Sequence, residues 1–245
     1  MRAHALFTAA TGTAERNRMA LRVGHRGAAG HVTGNTLASI AKAIALGVDF
    51  VEVDIRATRD GHPVVFHDRR VDGTTDGSGA VSELTLEEMR SVRTPDGQPI
   101  PTLEDALVCI NNRVGLMLDI KSAGIAERIW TSVTTTKFAQ PVIYASFLHA
   151  ELPAMKRLTS GAHTMALLKS APAHPTAFAR DAQVTHIGLR LDAVTGELVG
   201  AWQREGVRVF VYTVNEPSDI AWVRSLGVDG IISDFPERIK SGGQS

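Results

Sequence analysis

Glu52 and Asp54 stand two residues apart in "FVEVDI", residues 50–55. Successive side chains of a β-strand point to opposite faces, so Val51, Val53 and Ile55 share one face and the two carboxylates share the other. The carboxylates then lie roughly 6–7 Å apart along the strand. "LMLDIKS", residues 116–122, repeats the pattern, with Met117, Asp119 and Lys121 opposite Leu116, Leu118 and Ile120. Carboxylates gathered away from water either take up protons or need a cation. An all-oxygen ligand set of Glu52, Asp54 and Asp119 suits one hard divalent ion, Mg²⁺ or Ca²⁺. The structural alternative is that these acids pair with Arg26 and Lys121. Of the nine histidines, His25 and His67 end runs near the acids. Imidazole titrates close to neutral pH, so this pair can serve as general base and general acid. His31, His62, His149, His163, His174 and His186 read as structural or surface residues without such charged company. Arg26 and Lys121 have the charge to hold a phosphate, Arg as a fork and Lys as a point.

Positioning these groups requires a scaffold that brings strand ends together. Strand-like runs fall at 21–27, 49–58, 115–122, 141–147, 163–168, 186–191, 207–215 and 229–234. Helical patterns separate them over 35–46, 124–136, 149–159, 175–183, 195–205 and 216–226, with further helical pieces at "TLEEMRSV" and "TLEDALVCI". Gly47, Gly206 and Gly227 fall where helices should stop. Alternating strand and helix implies parallel strands with right-handed crossovers. If "VVFHD" (64–68) is an excursion, the strands number eight and predict an α/β fold, a single (β/α)8 TIM barrel. The polar residues then collect at the carboxyl ends of strands, where Tyr212, Asn215 and Asp234 also fall.

The bulk numbers fit that expectation. A chain of 245 residues with 44% hydrophobic and 21% charged content can bury one large core. Lys+Arg and Asp+Glu both number 26, which removes any bulk-charge reason to expect nucleic acid or an anionic membrane as partner. Cys109 is the lone cysteine, so an intramolecular disulfide is excluded and a reducing compartment fits. No apolar run approaches the roughly 20 residues of a membrane span. Residues 1–19 lack a continuous apolar stretch of the kind a secretory signal needs and read as an extension before a domain at 20–240. The expected location is cytoplasmic.

The segments "GHRGAAG", "NTLASIAKAIALGVDFVEVDIRATRDGHPVVFHD", "IPTLEDAL", "LDIKS", "VYTVN" and "GVDGIISDFP" occur in this order over residues 21–238. Together they resemble the glycerophosphodiester phosphodiesterase family, PLC-like phosphodiesterases with a TIM-barrel fold. The resemblance implies cation-dependent cleavage of glycerophosphodiesters to glycerol 3-phosphate and an alcohol. It makes Glu52, Asp54 and Asp119 metal ligands, His25 and His67 the acid–base pair, and Arg26, Lys121 and Tyr212 substrate or phosphate contacts. It also implies attack by the glycerol 2-hydroxyl, a cyclic phosphate, and opening of that ring by water. A lysophospholipase D acting on lipid diesters and a non-catalytic phosphodiester-binding barrel are the alternatives. There are three departures from the family pattern. Gly34 stands where the family usually has Glu, Asp119 replaces a Glu, and Tyr212 replaces a Trp. Residues 68–99 leave no room for the long cap of some members, so an open mouth is expected.

Overall fold

The computed structural model of the chain describes residues 19–239. The expected extension lies outside the described residues apart from Met19. Eight parallel strands close into a ring: β1 (Leu21–Gly24), β2 (Phe50–Ala57), β4 (Gly115–Ile120), β5 (Val142–Ser146), β6 (His163–Leu168), β7 (His186–Arg190), β8 (Arg208–Tyr212) and β9 (Gly230–Ser233). Closure comes from β1, which pairs with β2 on one side and β9 on the other. β3 (Pro63–Val65) lies outside the ring, antiparallel to β2. The expected barrel and its excursion are therefore both present.

Helices α1 (Leu37–Ala45), α3 (Leu103–Ile110), α4 (Ala126–Thr135), α5 (Leu152–Leu158), α6 (Pro175–Ala182), α7 (Gly196–Arg204) and α8 (Pro217–Ser225) follow the ring strands, and α2 (Leu86–Ser91) belongs to the excursion. Thr102 and Asp105 form a capping box that starts α3, satisfying backbone N–H groups the helix itself leaves unpaired. Gly206 and Gly227, both at φ +75°, follow the ends of α7 and α8 as the sequence predicts.

Strand alternation sets the two faces of the barrel wall. Val51, Val53, Ile55, Leu116, Leu118 and Ile120 point outward and pack under α1, α3 and α4. The interior is filled by Leu21, Val23, Phe50, Met117, Ile143, Met165, Phe210 and Ile232. At the amino-terminal end two rings set the packing. Gly115 is paired with Phe50 and Gly230 with Phe210. A Cβ on either glycine would approach the ring to 2.3 Å or 2.2 Å, so an alanine there would displace it. This apolar plug leaves the carboxyl ends of the strands as the open side of the barrel.

Candidate active site

At that open side a cavity of about 550 Å³ is lined by His25, Arg26, Glu52, Asp54, Asp119, Lys121, His67 and Tyr212, along with other side chains. Every site residue expected from sequence thus borders one space. The register explains how the acids meet: Asp54 lies directly beside Asp119 across the β2–β4 pair, and Glu52 sits two residues lower on the same inward face. Carboxylate oxygens of all three lie within 4.8 Å of one another. All three residues are buried.

Each acid is held differently. Glu52 Oε2 accepts the Arg26 backbone N–H at 2.8 Å. Asp54 is fixed by Asn35, whose Nδ2 donates to Oδ2 at 2.7 Å while its Oδ1 accepts the Asp54 N–H at 3.1 Å. Arg26 Nε and Lys121 Nζ approach the two Asp54 oxygens at 3.3 and 3.1 Å. Lys121 also pairs with Asp119 through Oδ2. The other Asp119 oxygen, Oδ1, is buried with no hydrogen-bond partner.

The protonation balance follows from this geometry. Burial, reinforced by the neighbouring Asp54 charge, pushes Glu52 up to about 7. Burial also raises Asp119, to about 6, against the opposing pull of Lys121. Burial raises Asp54 too, but Lys121 and Arg26 outweigh it and hold that carboxyl below its ordinary range. Lys121 is held above its usual value because Asp54 and Asp119 outweigh the cost of its burial.

Salt bridging therefore neutralises Asp54 and one side of Asp119, while Glu52 and Asp119 Oδ1 stay short of positive charge. Two oxygens bound to one ion at roughly 2.1–2.4 Å can stand no more than about 4.2–4.8 Å apart. The cluster meets the outer bound, and a hard cation suits the orphaned, electron-rich oxygen. The acids can hold one metal ion, and they pair with Arg26 and Lys121 as well.

Both histidines are oriented by a carboxylate. His25 Nδ1–H donates to Asp234 Oδ1 and His67 Nδ1–H to Asp68 Oδ1, each at 2.7 Å. A carboxylate only accepts, so each Nδ1 carries the proton and each Nε2 is left for other partners. Asp234 is itself held by Asn215, whose Nδ2 donates to Oδ2 at 2.7 Å. Burial alone would lower His25, but the Asp234 bond and the Glu52 charge carry it above its ordinary value. Tyr212 packs edge-on against Phe147 and donates its hydroxyl to the Leu168 carbonyl at 2.7 Å.

Residues 25–238 match the model of the Glycerophosphoryl diester phosphodiesterase family. The chain belongs to that family. It is 32% identical over 241 residues to the glycerophosphodiester phosphodiesterase of Caldanaerobacter subterraneus subsp. tengcongensis, covering 89% of this chain and 96% of the relative. The enzyme of the same name from Bacillus altitudinis is 28% identical over 230 residues, covering 87% and 94%. A phosphodiesterase from Oleispira antarctica, solved in complex with the product sn-glycerol-3-phosphate, superposes with a TM-score of 0.81 at 26% identity, covering 89% of this chain and 94% of that one.

Within this family setting the departures acquire physical content. The space beside Gly34 is filled by Arg26: a Cβ at 34 would stand 3.0 Å from the Arg26 Cβ and 3.3 Å from its Cδ. Glycine lets the Arg26 stem lie there with its guanidinium toward Asp54. Sequence reasoning missed Asn35, Arg56, Arg69, Phe147 and Lys169 as site residues, and gave Asp68, Asn215 and Asp234 positions without roles. The one sequence cue for Asn35 was its place beside the Thr36 helix cap; its φ of +61°, a conformation asparagine tolerates, and its contact with Asp54 come from the structure. His31 and His62 lie outside the cavity, each beside one acid at the surface: His31 is 3.1 Å from Glu237, and His62 is 3.9 Å from Asp60, two residues before it.

Proposed function

We propose that this chain hydrolyses glycerophosphodiesters to glycerol 3-phosphate and an alcohol, through a domain spanning residues 20–240. The carrying observation is the convergence of three buried acids, one with an orphaned oxygen, beside two histidines whose Nδ1 atoms are both fixed by carboxylates. Glu52, Asp54 and Asp119 are the proposed ligands of a single Mg²⁺ or Ca²⁺. When bound, that ion supplies Lewis-acid polarisation of the glycerol hydroxyl and offsets charge on the phosphoryl group.

The chain's own residues do the rest. Arg26 and Lys121 hold the phosphate oxygens, and Tyr212 with Phe147 walls one side of the cavity. His25 is the more enclosed histidine, with its side chain 21% exposed against 40% for His67. We assign His25 Nε2 as the base that removes the proton from the glycerol 2-hydroxyl. His67, nearer solvent, protonates the departing alkoxide, which must leave through the mouth. The 2-oxygen forms a bond to phosphorus as the bond to the alcohol breaks, leaving a five-membered cyclic phosphate. Water then opens the ring with the histidine roles reversed, His67 taking the water proton and His25 returning one to the 2-oxygen. Asp234 and Asp68 keep both rings in the tautomer this exchange requires.

We read the mouth as favouring water-soluble diesters over lipids: among the described residues Leu148 is the one exposed large apolar side chain that lines it, the other apolar lining being buried or half-buried within the cavity. Among the described residues no helix is long and apolar enough to cross a membrane. A cytoplasmic location rests on the lone, part-buried Cys109. The test is glycerol 3-phosphate release by chelator-treated protein before and after Mg²⁺ or Ca²⁺ is restored. Turnover that appears only with the cation supports the reading. Glycerophosphodiester binding with no turnover under any cation would favour a non-catalytic barrel instead.

A further inference from the structure

The cavity carries more positive charge than a phosphodiester needs. Its acids are Glu52, Asp54 and Asp119, and its lysines and arginines are Arg26, Arg56, Arg69, Lys121 and Lys169. Arg26 and Lys121 pair with the acids at the base, where the proposed function also places the scissile phosphate. Arg56 spans backbone carbonyls, donating to His67 O at 2.7 Å and reaching Lys121 O at 3.5 Å. Arg69 and Lys169 remain. Both are exposed, both border the cavity, and neither has a carboxylate within 4.0 Å among the described residues. The adjacent Arg70 does pair, with Asp72 at 3.1 Å, so tandem arginines are divided between a surface ion pair and the cavity.

The aromatic wall argues in the same direction. Lys121 Nζ lies 5.3 Å and Lys169 Nζ 5.6 Å from the centroid of Phe147. A quaternary ammonium group seeks aromatic faces and carboxylates. Here Phe147 already carries two ammonium groups, and every carboxylate lining the cavity belongs to the cluster at its base.

We infer that Arg69 and Lys169 form a second anion subsite, selecting glycerophosphodiesters whose leaving alcohol itself bears a phosphate. This deepens the proposed function and rests on it. The scissile phosphate sits with Arg26 and Lys121 at the base, and the alcohol extends toward the rim between β6 and the segment after β3. Exposed ion pairs are individually weak, so two of them together give about tenfold in kcat/KM, screened by salt.

The test compares three diesters at low ionic strength with the cation present: glycerophosphoglycerol phosphate, glycerophosphoglycerol and glycerophosphocholine. Wild type should prefer the first over the second about tenfold, mainly through KM, and handle glycerophosphocholine worst. Raising salt should shrink the preference, and Arg69→Gln with Lys169→Gln should bring the ratio near one. Lys169→Glu should move the preference toward glycerophosphocholine. Folding of each variant is checked by its circular dichroism melt, and the wild-type ratio alone suffices if a variant fails to fold. Turnover of all three diesters at similar kcat/KM would overturn the subsite while leaving the proposed function intact. No turnover of any would overturn the function itself.

Discussion

Glu52→Gln should make the metal-free protein more stable at neutral pH while removing its response to divalent cations. Glu52 is held near 7 and Asp119 near 6 in the folded chain, against ordinary values of 4.5 and 3.8. Between those limits the folded state binds more protons than the unfolded state, so stability must fall as pH rises. His25, also raised, acts in the same direction. From pH 5 to pH 7 the two carboxyls contribute about two units and one unit, and at ~1.4 kcal/mol per unit the loss is about 4 kcal/mol. For a domain of this size that is a fall in Tm of about 10 °C. The substituted amide cannot ionise, yet its oxygen can still accept the Arg26 N–H. The variant should therefore recover about 3 kcal/mol at pH 7.5 relative to metal-free wild type. Cation at a hundredfold excess over its Kd should raise wild-type stability by ~2.7 kcal/mol. It should leave Glu52→Gln nearly unmoved. Thermal melts of both proteins at pH 5 and pH 7.5, with chelator or with Ca²⁺, provide the four comparisons. A metal-free wild type that is as stable at pH 7.5 as at pH 5, or a Glu52→Gln variant less stable than wild type at pH 7.5, would refute the reasoning.

Further consequences can be checked in turn. Cation affinity should fall about tenfold per pH unit from pH 7 to pH 6, where binding must displace the proton on Glu52, and more steeply below pH 6, where Asp119 is protonated as well, measured by calorimetry in buffers of different ionisation heat. His67→Ala should lose about 10³-fold in kcat on glycerophosphoglycerol but far less in the first-turnover release of 4-nitrophenol from a 4-nitrophenyl glycerophosphodiester, whose leaving group needs no proton; His25→Ala should lose similarly in both. Asp234→Asn should cost about 10²-fold in kcat with little change in KM, since the His25 tautomer is no longer enforced. Gly34→Ala should raise KM by displacing the Arg26 stem, to a smaller degree than Arg26→Ala, read from initial rates.

What was legible in the sequence was what a short period encodes. Alternation in 50–55 and 116–122 placed Glu52, Asp54 and Asp119 on inward faces, because a strand's two-residue period leaves only two options and the apolar set claims one of them. Eight strand-like runs gave the barrel, and the glycines ending α7 and α8 gave its helix boundaries. Contacts made by loops were not legible. Asn35 reaches Asp54 across 19 positions and Asp234 reaches His25 across 209. Nothing in local pattern marks Lys169 or Arg69 as neighbours of one cavity. In sequence, pairing of Arg26 and Lys121 with the acids stands as an alternative to metal binding, yet the geometry shows that the pairing does not use up the acids: an aspartate has two oxygens, and Asp119 gives only one of them to Lys121.

Anomalous scattering from crystals soaked in Mn²⁺ or Ca²⁺ at pH 7.5 tests the central claim most directly. One peak should appear with oxygens of Glu52, Asp54 and Asp119 all within about 2.0–2.6 Å of it. An occupied site elsewhere in a catalytically active crystal, or an active protein with Lys121 still bridging Asp54 and Asp119 and no ion among them, would contradict the account.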